Sequence, residues 1–595
     1  MFLRTTKRKN RDGSVAEYYQ LAHNVRDPAS RKPVAQIIHN FGRAEGLDRE
    51  ALVRLCRSIA RVAGVEVRDP ETQAAAEGED AGADREAAKR SGPWPAELRW
   101  LASRPLGPVL AIEALWERLG IGSALREAVQ EEGGSPKYER AVLAMTANRL
   151  CEPKSKLGVW DRWLPRVHLP SCWELSLDQL YEAMDLVHRH AERIEERVFF
   201  QTADLLNLTV DLVFYDTTTA SFAVDFEDPD EEVEAAGAPE GAPGGADPQA
   251  GGQAKAGLRK RGKSKDGTWS PQIVVALAVT REGLPVRSWV LPGNTTDATT
   301  IAKVKADLRG WKLSRCLFVA DAGMDSEDNR KLLSQGGGKY LLAVRAGSLK
   351  EVQQEVLTRP GRYKKVADNL QVKEVEVGDG GLRRRYFLCY NPREAERQKR
   401  HRDGVLTELH EEMGRHKDWD ATAKWAVELL ASKRTGGYLT VSPTGQVYVD
   451  TLKAKKAEKL DGKWVLITND DTLKPEDAAS GYKGLLVIER CFRSLKTTQI
   501  HLTPMHHWLP RRIEAHVKIC VLALLIQRVA ETTTQKTWGW LRHALGQLQA
   551  AEFETPAHRF FRRNEPSQDV VDLLKTLGIP LPKPILELAP LPPKP

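Results

Sequence analysis

The sequence has few cysteines and no long apolar run. Its seven cysteines are scattered over 595 residues and no two of them stand in a CxxC spacing. This excludes a disulfide framework and a structural zinc site, and it favours a reducing compartment such as the cytoplasm. The longest apolar stretch near the C-terminus, ICVLALLIQ (519–527), is far shorter than the about 20 residues that cross a bilayer. It predicts a buried helix and no membrane association.

The N-terminus and the net charge give two further indications. The opening residues MFLRTTKRKNRDG contain no apolar core of a secretory signal. Lys and Arg exceed Asp and Glu by 89 − 81 = 8, with a pI near 8.9. This modest excess is compatible with a nucleic-acid partner but does not require one. At this length, about three or four domains are expected.

Composition changes along the chain predict its organisation. Residues 69–93 and 225–257 are rich in Ala, Gly, Pro and acids and lack the branched and aromatic residues that offset chain entropy, so both are predicted to be flexible. The predicted segments are an N-terminal hairpin-plus-helix unit (1–68), a linker (69–95), a helical domain (96–206), an α/β domain in two parts (207–345 and 460–535) around an insertion (346–459), and a helical, Pro-rich tail (536–595).

The pattern after residue 206 predicts a mixed α/β sheet. Strands are expected at LVFYD (212–216), PQIVVALAVT (271–280), PVRSWVLPG (285–293), RCLFVADAG (315–323) and KYLLAVR (339–345). Helices are expected after NTTDATT and from about Ser326. KWVLITN (463–469) resumes a buried strand, which indicates one α/β domain interrupted by an inserted one.

Two of these strands end in an aspartate, at Asp216 in LVFYDTTT and at Asp321 in RCLFVADAG. Ligand sites of open α/β sheets lie outside the carboxyl ends of the strands. A turn or cap residue is an equally good interpretation of either aspartate taken alone.

A third acid, Glu489, lies in the apolar helical stretch GYKGLLVIERCFRSLKTT (481–498). Tyr482, Glu489 and Lys496 are seven residues apart and would share one stripe of a helix, with Leu486, Val487 and Ile488 supplying packing surface. Arg493 joins the stripe at i+4. A surface Glu–Arg pair would explain Arg493, but it leaves Tyr482 and Lys496 unexplained.

A metal site would explain the whole stripe. A glutamate facing two aspartates would repel them unless a divalent cation lay between, and an all-oxygen donor set suits Mg²⁺, with Mn²⁺ able to substitute. Two such ions support phosphodiester displacement. The phenol and the nearby cations Arg490, Arg493 and Lys496 would then hold the phosphate backbone.

These residues resemble the DDE transposases of bacterial insertion sequences, in the branch whose glutamate stands in a Y-x2-R-x3-E-x6-K signature. Tyr482, Glu489 and Lys496 match this signature, whereas Leu485 stands in place of its arginine. The segments YDTTT, PQIVVALAVTREGLPVRSWVLPGNTTD and VADAGM are also similar, and the resemblance spans roughly residues 1–535.

The resemblance implies an RNase H-like fold with Asp216, Asp321 and Glu489 as the metal-binding triad, and a mostly β insertion domain. It implies cleavage of double-stranded DNA at the element's terminal inverted repeats, with a hairpin intermediate in several relatives, and joining of 3′ hydroxyls to target DNA. The partners would be a second copy of the chain in a synaptic complex and the DNA of the nucleoid.

Several neighbouring residues have competing interpretations. The basic loop RKRGKSKD (259–266) contains Lys263 and Lys265, which are predicted to contact phosphate, although a solvated charge run is the simpler alternative. Asp266 is the chief rival metal ligand. Asp297 in GNTTDATT is interpreted as a cap or first-turn acid.

Three other functions compete with the transposase hypothesis. The first is an RNase H-like nuclease that cuts without joining, the second is a domesticated DNA-binding protein without catalysis, and the third is a scaffold for RNA or protein. The presence of all three acids speaks against the second.

Overall fold

The computed structural model describes most of the chain. It covers residues 2–9, 15–26, 33–43, 98–208, 210–222, 224–230, 257–265, 267–311, 313, 316–347, 349–380, 383–416 and 419–591, with backbone only in the first three ranges. Two compact units are present, Met1–Leu98 and Arg99–Pro595. The linker predicted at 69–95 and most of the segment predicted to be disordered (225–257) lie outside the described residues.

The N-terminal unit contains an antiparallel three-stranded sheet in the order β1-β2-β3. Its strands are β1 (Phe2–Lys9), β2 (Val15–Arg26) and β3 (Pro33–Arg43). β2 and β3 form the pair that the alternating apolar patterns of EYYQLAHNV and PVAQIIHNFG predict, and β1 adds a third strand. The helix predicted near 48–64 lies outside the described residues.

A ten-stranded sheet is the centre of the second unit, in the order β11-β12-β13-β16-β10-β9-β5-β7-β6, with β8 also pairing with β7. Its first strands are β5 (Leu212–Ser221), β6 (Lys260–Lys263), β7 (Trp269–Val279), β8 (Pro285–Pro292), β9 (Leu317–Ala320) and β10 (Lys339–Val344). β9 runs parallel to both β5 and β10, whereas β5–β7 and β7–β8 are antiparallel. The predicted mixed α/β fold is confirmed.

Helices cover both faces of this sheet, which explains why β7 is almost continuously apolar. One core packs β5, β9 and β10 against α6 (Ile301–Gly310) and α7 (Glu327–Ser334). Ser326 begins α7 by accepting a hydrogen bond from the backbone N–H of Asn329. The opposite face belongs to a larger core that reaches the helical region and the C-terminal segment.

The inserted segment differs from the mostly β domain that was expected. Its strands β11 (Lys364–Ala367), β12 (Leu370–Val377) and β13 (Arg384–Tyr390) extend the central sheet through β16 (Lys463–Thr468). The remainder contains α8 (Pro392–Arg415), α9 (Lys424–Ala431), the short pair β14 (Leu439–Val441) and β15 (Val447–Val449), and α10 (Thr451–Leu460). The β character is therefore correct for the sheet extension, while helices account for much of the rest.

The region predicted as a separate helical domain begins with a strand, β4 (Arg99–Pro105). It continues with α1 (Gly107–Arg118), α2 (Ile121–Glu131), α3 (Lys137–Cys151), α4 (Leu177–Arg189) and α5 (Ala191–Leu205). A capping box between Ser176 and Gln179 opens α4. These helices share one hydrophobic core with the central sheet, so the region is not independent of it.

The C-terminal part is folded rather than a tail. After α11 (Pro475–Lys483), α12 (Leu486–Arg493) and α13 (Pro510–Thr534), it contains α14 (Trp538–Leu545), β17 (Gln549–Glu554), β18 (His558–Arg563), α15 (Gln568–Thr576) and β19 (Ile585–Pro590). β4 pairs with β17 in the sheet β19-β18-β17-β4, so two distant parts of the sequence form one element.

The apolar run 519–527 lies within α13 and is buried, as predicted. In the part of the chain that the structure describes, no helix is both long and apolar enough to cross a membrane.

Candidate active site

Asp216 and Asp321 lie side by side on neighbouring parallel strands. Tyr215 of β5 is in register with Ala320 of β9, so the two aspartates are the next residues along the two strands. Tyr215 and Ala320 face one core, and side chains alternate along a strand, so Asp216 faces the opposite side of the sheet. The structure thus places Asp216 and Asp321 at neighbouring positions of two adjacent strands.

The position of Asp216 within its strand differs from the prediction. Asp321 directly follows β9, but β5 continues past Asp216 to Ser221 because the antiparallel ladder with β7 extends to Ser221 opposite Gln272. Asp216 therefore lies in mid-strand, at the point where β5 loses its parallel neighbour and leaves one edge open.

The environment of Asp216 disfavours its negative charge. The pKa of Asp216 is raised to about 6, mainly by burial and also by the carboxylates of Asp321 and Asp297. Lys265 and a 2.7 Å hydrogen bond from the backbone N–H of Thr217 act in the opposite direction. A cation beside this pair would relieve the repulsion.

Tyr482 connects the aspartates with Glu489. Its hydroxyl donates a 3.2 Å hydrogen bond to Oδ1 of Asp321. Burial is the main cause that raises the pKa of the Tyr482 phenol, and the negative charges of Asp321, Asp216 and Glu489 raise it further. The charges of all three predicted acids thus act on the Tyr482 hydroxyl, although only Asp321 is hydrogen-bonded to it.

Glu489 projects from a helix that is fixed on the strand of Asp216. Ile488 of α12 is buried in the core on the Asp216 side of the sheet, whereas Glu489 is exposed. Just before α12, Gly484 lies so close to β5 that an added Cβ would overlap the ring of Phe214. A glycine is therefore required where this helix meets the sheet.

The single helical stripe predicted for 482–496 is divided among three elements. α11 ends at Lys483, Gly484 and Leu485 form a turn, α12 follows, and Lys496 lies in a π-helical turn, Ser494–Thr498. The turn is tight because the N–H groups of Val487 and Ile488 bond to carbonyls three residues back instead of four. Tyr482 remains close enough to Glu489 for the charge of Glu489 to raise the pKa of the phenol. The two residues nevertheless lie in different helices.

One packing expectation for this helix was wrong, and a residue without such an expectation is buried. Leu486, predicted to pack, is 53% exposed, since it follows the turn and points away from the sheet. Leu485, which replaces the arginine of the signature, is only 8% exposed and belongs to the core. An arginine at this position would have to bury its charge.

The fit of a metal ion rests on donor chemistry. Asp216 and Asp321 offer carboxylate oxygens, which suit a hard divalent cation. Within the described residues, no three His, Cys, Asp or Glu side chains are grouped closely enough to hold an ion. Asp216 and Asp321 fit as ligands because they lie at neighbouring positions of adjacent strands. Glu489 would have to come nearer to complete a set of three ligands.

The predicted basic residues have different surroundings. Lys263 and Lys265 line a cleft of about 840 Å³ beside β5, together with Thr217, Thr219 and Trp269, whose side chain is 67% exposed. Nζ of Lys265 lies 2.9 Å from Oδ2 of Asp297. Arg490 and Arg493 are exposed on α12, and Lys496 is half-buried. The rival ligand Asp266 lies outside the described residues.

Asp297 is a functional candidate whose role the sequence did not predict. It occupies the first turn of a short 3₁₀ helix, Asp297–Thr300, as expected, but its carboxylate faces the candidate site. It accepts hydrogen bonds from the Thr217 hydroxyl and from Lys265, and its charge acts on Asp216. The only sequence signal is its place in a loop after β8, which also suits an ordinary cap.

Family models of transposases match two parts of the chain. The model described as the N-terminal domain of IS1634 family transposases matches residues 3–71, and the model of the transposase DDE domain matches residues 243–526. The second match includes Asp321 and Glu489 but begins after Asp216. No curated protein matches the chain.

One solved structure with similarity is titled "Cryo-EM structure of piggyBac transposase synaptic complex with hairpin DNA". It is 9% identical, and the alignment covers 74% of this chain and 79% of that chain with a TM-score of 0.33. A similarity this low carries no conclusion about this chain.

Proposed function

Because the chain belongs to the DDE transposases of insertion sequences, we propose that it cleaves DNA at the ends of its own element and joins the 3′ hydroxyls to target DNA. The observation that carries this proposal is the placement of Asp216 and Asp321 next to each other on parallel strands, with the Tyr482 hydroxyl donating a hydrogen bond to Asp321.

Asp216, Asp321 and Glu489 would hold Mg²⁺ or Mn²⁺. When bound, such ions activate the attacking oxygen and stabilise the leaving oxygen of a phosphodiester. Asp216 has to lose its proton to serve as a ligand, and Lys265 favours that loss by its positive charge. Since Glu489 is exposed at the surface of α12, its side chain is free to approach the aspartates when DNA binds.

The chain's basic groups would position the DNA. Arg490 and Arg493 are exposed on the helix of Glu489, and Lys263 and Lys265 line the cleft on the other side of Asp216. Tyr482 and Lys496 complete the predicted phosphate contacts. We assign the strands β8-β7-β5-β9-β10 to the RNase H-like part of the sheet, and residues 96–206 to recognition of the element ends by a homodimer.

The test is cleavage and joining with end-bearing DNA, a target plasmid and Mg²⁺. Asp216→Asn, Asp321→Asn and Glu489→Gln are each expected to reduce cleavage on the order of 10³-fold, with end binding within about threefold of wild type because phosphate contacts carry most of the affinity. The matched control is Asp211→Asn, since Asp211 is exposed at the start of the same strand and pairs with Arg281.

Each outcome of this experiment has one meaning. Joined products that depend on all three acids support the transposase proposal. Cuts without joined products would instead identify a nuclease, and end binding without cuts a non-catalytic DNA-binding protein. A chain without preference for element ends would be a scaffold. Retained cleavage in any one of the three variants would remove that residue from the proposed triad.

A further inference from the structure

A second cleft, separate from the one beside β5, has an unusual charge distribution. Its volume is about 550 Å³, and it lies between the end of α3, the segment 151–156, the loop after the π-helical turn and the first half of α13. Four lysine or arginine side chains and four histidines line it. Glu152 is the one carboxylate among the described residues of this lining.

The single carboxylate is already engaged elsewhere. Oε1 of Glu152 lies 2.9 Å from Nζ of Lys154, and Oε2 lies 3.2 Å from the guanidinium of Arg166. Glu152 therefore does not compensate the deeper cations of the cleft.

Two of these cations are almost fully buried. Lys156 is 3% exposed, and its Nζ lies 3.2 Å from Nδ1 of His516. Arg149 is 5% exposed and donates to the backbone carbonyls of His501 and Lys154, while its Nε–H has no hydrogen-bond partner among the described atoms. Buried charges are normally paired with an opposite charge, since their desolvation is costly.

The pKa values agree with this geometry. Burial, and after it the positive charge of Arg149, lowers the pKa of Lys156 to about 7. Burial also lowers the pKa of His507 to about 3 and holds that of His516 well below its usual range. The thiol of Cys520 lies 3.8 Å from Nε2 of His516, and the titratable side chains of Cys151 and Tyr181 also line the cleft. Every shift of a basic group has the direction expected where negative charge is lacking.

We propose that this cleft binds a phosphate group, with Arg149 and Lys156 as the buried donors and Arg542 as the exposed donor at the rim. A phosphate supplies the negative charge and the several acceptor oxygens that these side chains lack. Two sources share this chemistry, a backbone phosphate of bound DNA and free inorganic phosphate. The DNA source rests on the proposed function.

The position of the cleft favours contact with DNA. The carbonyls of His501 and Leu502, which bond to Arg149 and His516, belong to the loop that follows Lys496. The cleft thus joins the helical region to the chain that leaves the helix of Glu489. A phosphate bound here would link DNA recognition by α3 to the candidate active site.

The first arm of the test measures thermal unfolding of the full chain in sodium phosphate and in sodium chloride of equal ionic strength at pH 6.5. Phosphate is expected to raise the Tm of the wild type by several degrees, because a ligand that binds only the folded state stabilises it. Lys156→Met should remove this increase. Lys137→Met is the matched control, since Lys137 begins α3, the helix of Arg149, but is exposed and pairs with Glu174.

The second arm measures binding of an end-bearing duplex over a range of salt concentrations. If the phosphate belongs to DNA, Lys156→Met lowers the affinity about tenfold and the slope of log K against log salt falls by about one. If it is free phosphate, the first arm alone responds. Arg542→Gln, at the exposed rim, provides a second variant should Lys156→Met fail to fold, as monitored by circular dichroism.

The proposal is overturned if the variants match Lys137→Met in both arms; Lys156 would then be a neutral structural donor to His516. Wild-type cleavage with Mg²⁺, measured in the same preparation, tests the proposed function separately. A protein that cleaves normally but shows no Lys156 dependence would refute only the phosphate site.

Discussion

At the scale of single residues, the two aspartates differ although they lie side by side. Asp321 follows its strand, is exposed and accepts a hydrogen bond from Tyr482, whereas Asp216 is half-buried in mid-strand. Burial is therefore the main reason why the pKa of Asp216 is raised to about 6. A residue in such an environment is a functional-site candidate, because its charge costs free energy in the absence of a ligand.

This cost predicts a pH-dependent gain in stability for Asp216→Asn. An acid with a pKa of about 6 when folded and 3.8 when unfolded loses stability as the pH rises from about 4 to about 6, since the folded state then binds more protons. The variant, which cannot titrate, should therefore exceed the wild type in free energy of unfolding by about 1–3 kcal/mol at pH 7.5 and by little at pH 4.

Thermal or urea unfolding at the two pH values would measure this difference. Asp211→Asn serves as the comparison, because Asp211 is exposed and forms a surface pair with Arg281. A gain for Asp216→Asn that is equal at both pH values would show that the charge of Asp216 is not the cause.

At the scale of elements, the helix that carries Glu489 depends on one close contact. Gly484 has φ −61° and ψ −16°, ordinary helical values, so its backbone alone would tolerate other residues. The restriction comes from Phe214 of β5, whose ring occupies the space of a Cβ at this position. Strand and helix are thereby held at a distance that only glycine permits.

Gly484→Ala is accordingly expected to destabilise the protein by about 1–3 kcal/mol through overpacking. Cleavage should fall as well, because α12 and Glu489 would move away from β5. Unfolding experiments and the cleavage assay check both effects, and Phe214→Leu in the same background should restore part of each.

Gly404→Ala is the matched control for this substitution. Gly404 lies inside α8, and an added Cβ would meet no atom within 4 Å. Its replacement should stabilise the protein by about 0.5–1 kcal/mol. Equal behaviour of the two variants would contradict the contact between Gly484 and Phe214.

At the scale of the whole molecule, the described helical region and the C-terminal segment form one structure. β4 pairs with β17, and Arg104 forms an ion pair of 2.9 Å with the buried Glu552. Phe561 and Leu574 of the C-terminal segment belong to the same core as α1 and α3. The fold of residues 99–206 therefore depends on the C-terminal segment.

Truncation of the chain after Gly546 is expected to abolish stable folding of residues 99–546, because it removes the partner of β4 and a wall of the core. Truncation after Pro584 removes β19, most of which is exposed, and should lower the Tm by only a few degrees. Soluble yield and thermal unfolding would distinguish the two. Similar Tm values would mean that the C-terminal segment is dispensable for the fold.

The sequence by itself determined the main strands of the central sheet and the three candidate acids. Alternating and continuous apolar runs are patterns of residues that are adjacent in the chain, and they predict strands without knowledge of the fold. They predicted β5, β7, β8, β9, β10 and β16. Asp216, Asp321 and Glu489 could be named as candidate metal ligands because strand ends and a family signature are both local features of the sequence.

Only the tertiary structure decided what each of these elements contacts. Three contacts join residues that are far apart in the chain. They are the pairing of β4 with β17, the pairing of β13 with β16 that extends the sheet, and the packing of Gly484 against Phe214. The contacts of Asp297 with Lys265 and of Lys156 with His516 also arise because folding brings distant residues close together. Electrostatic and packing energies depend on distance in space, and no local pattern records that distance.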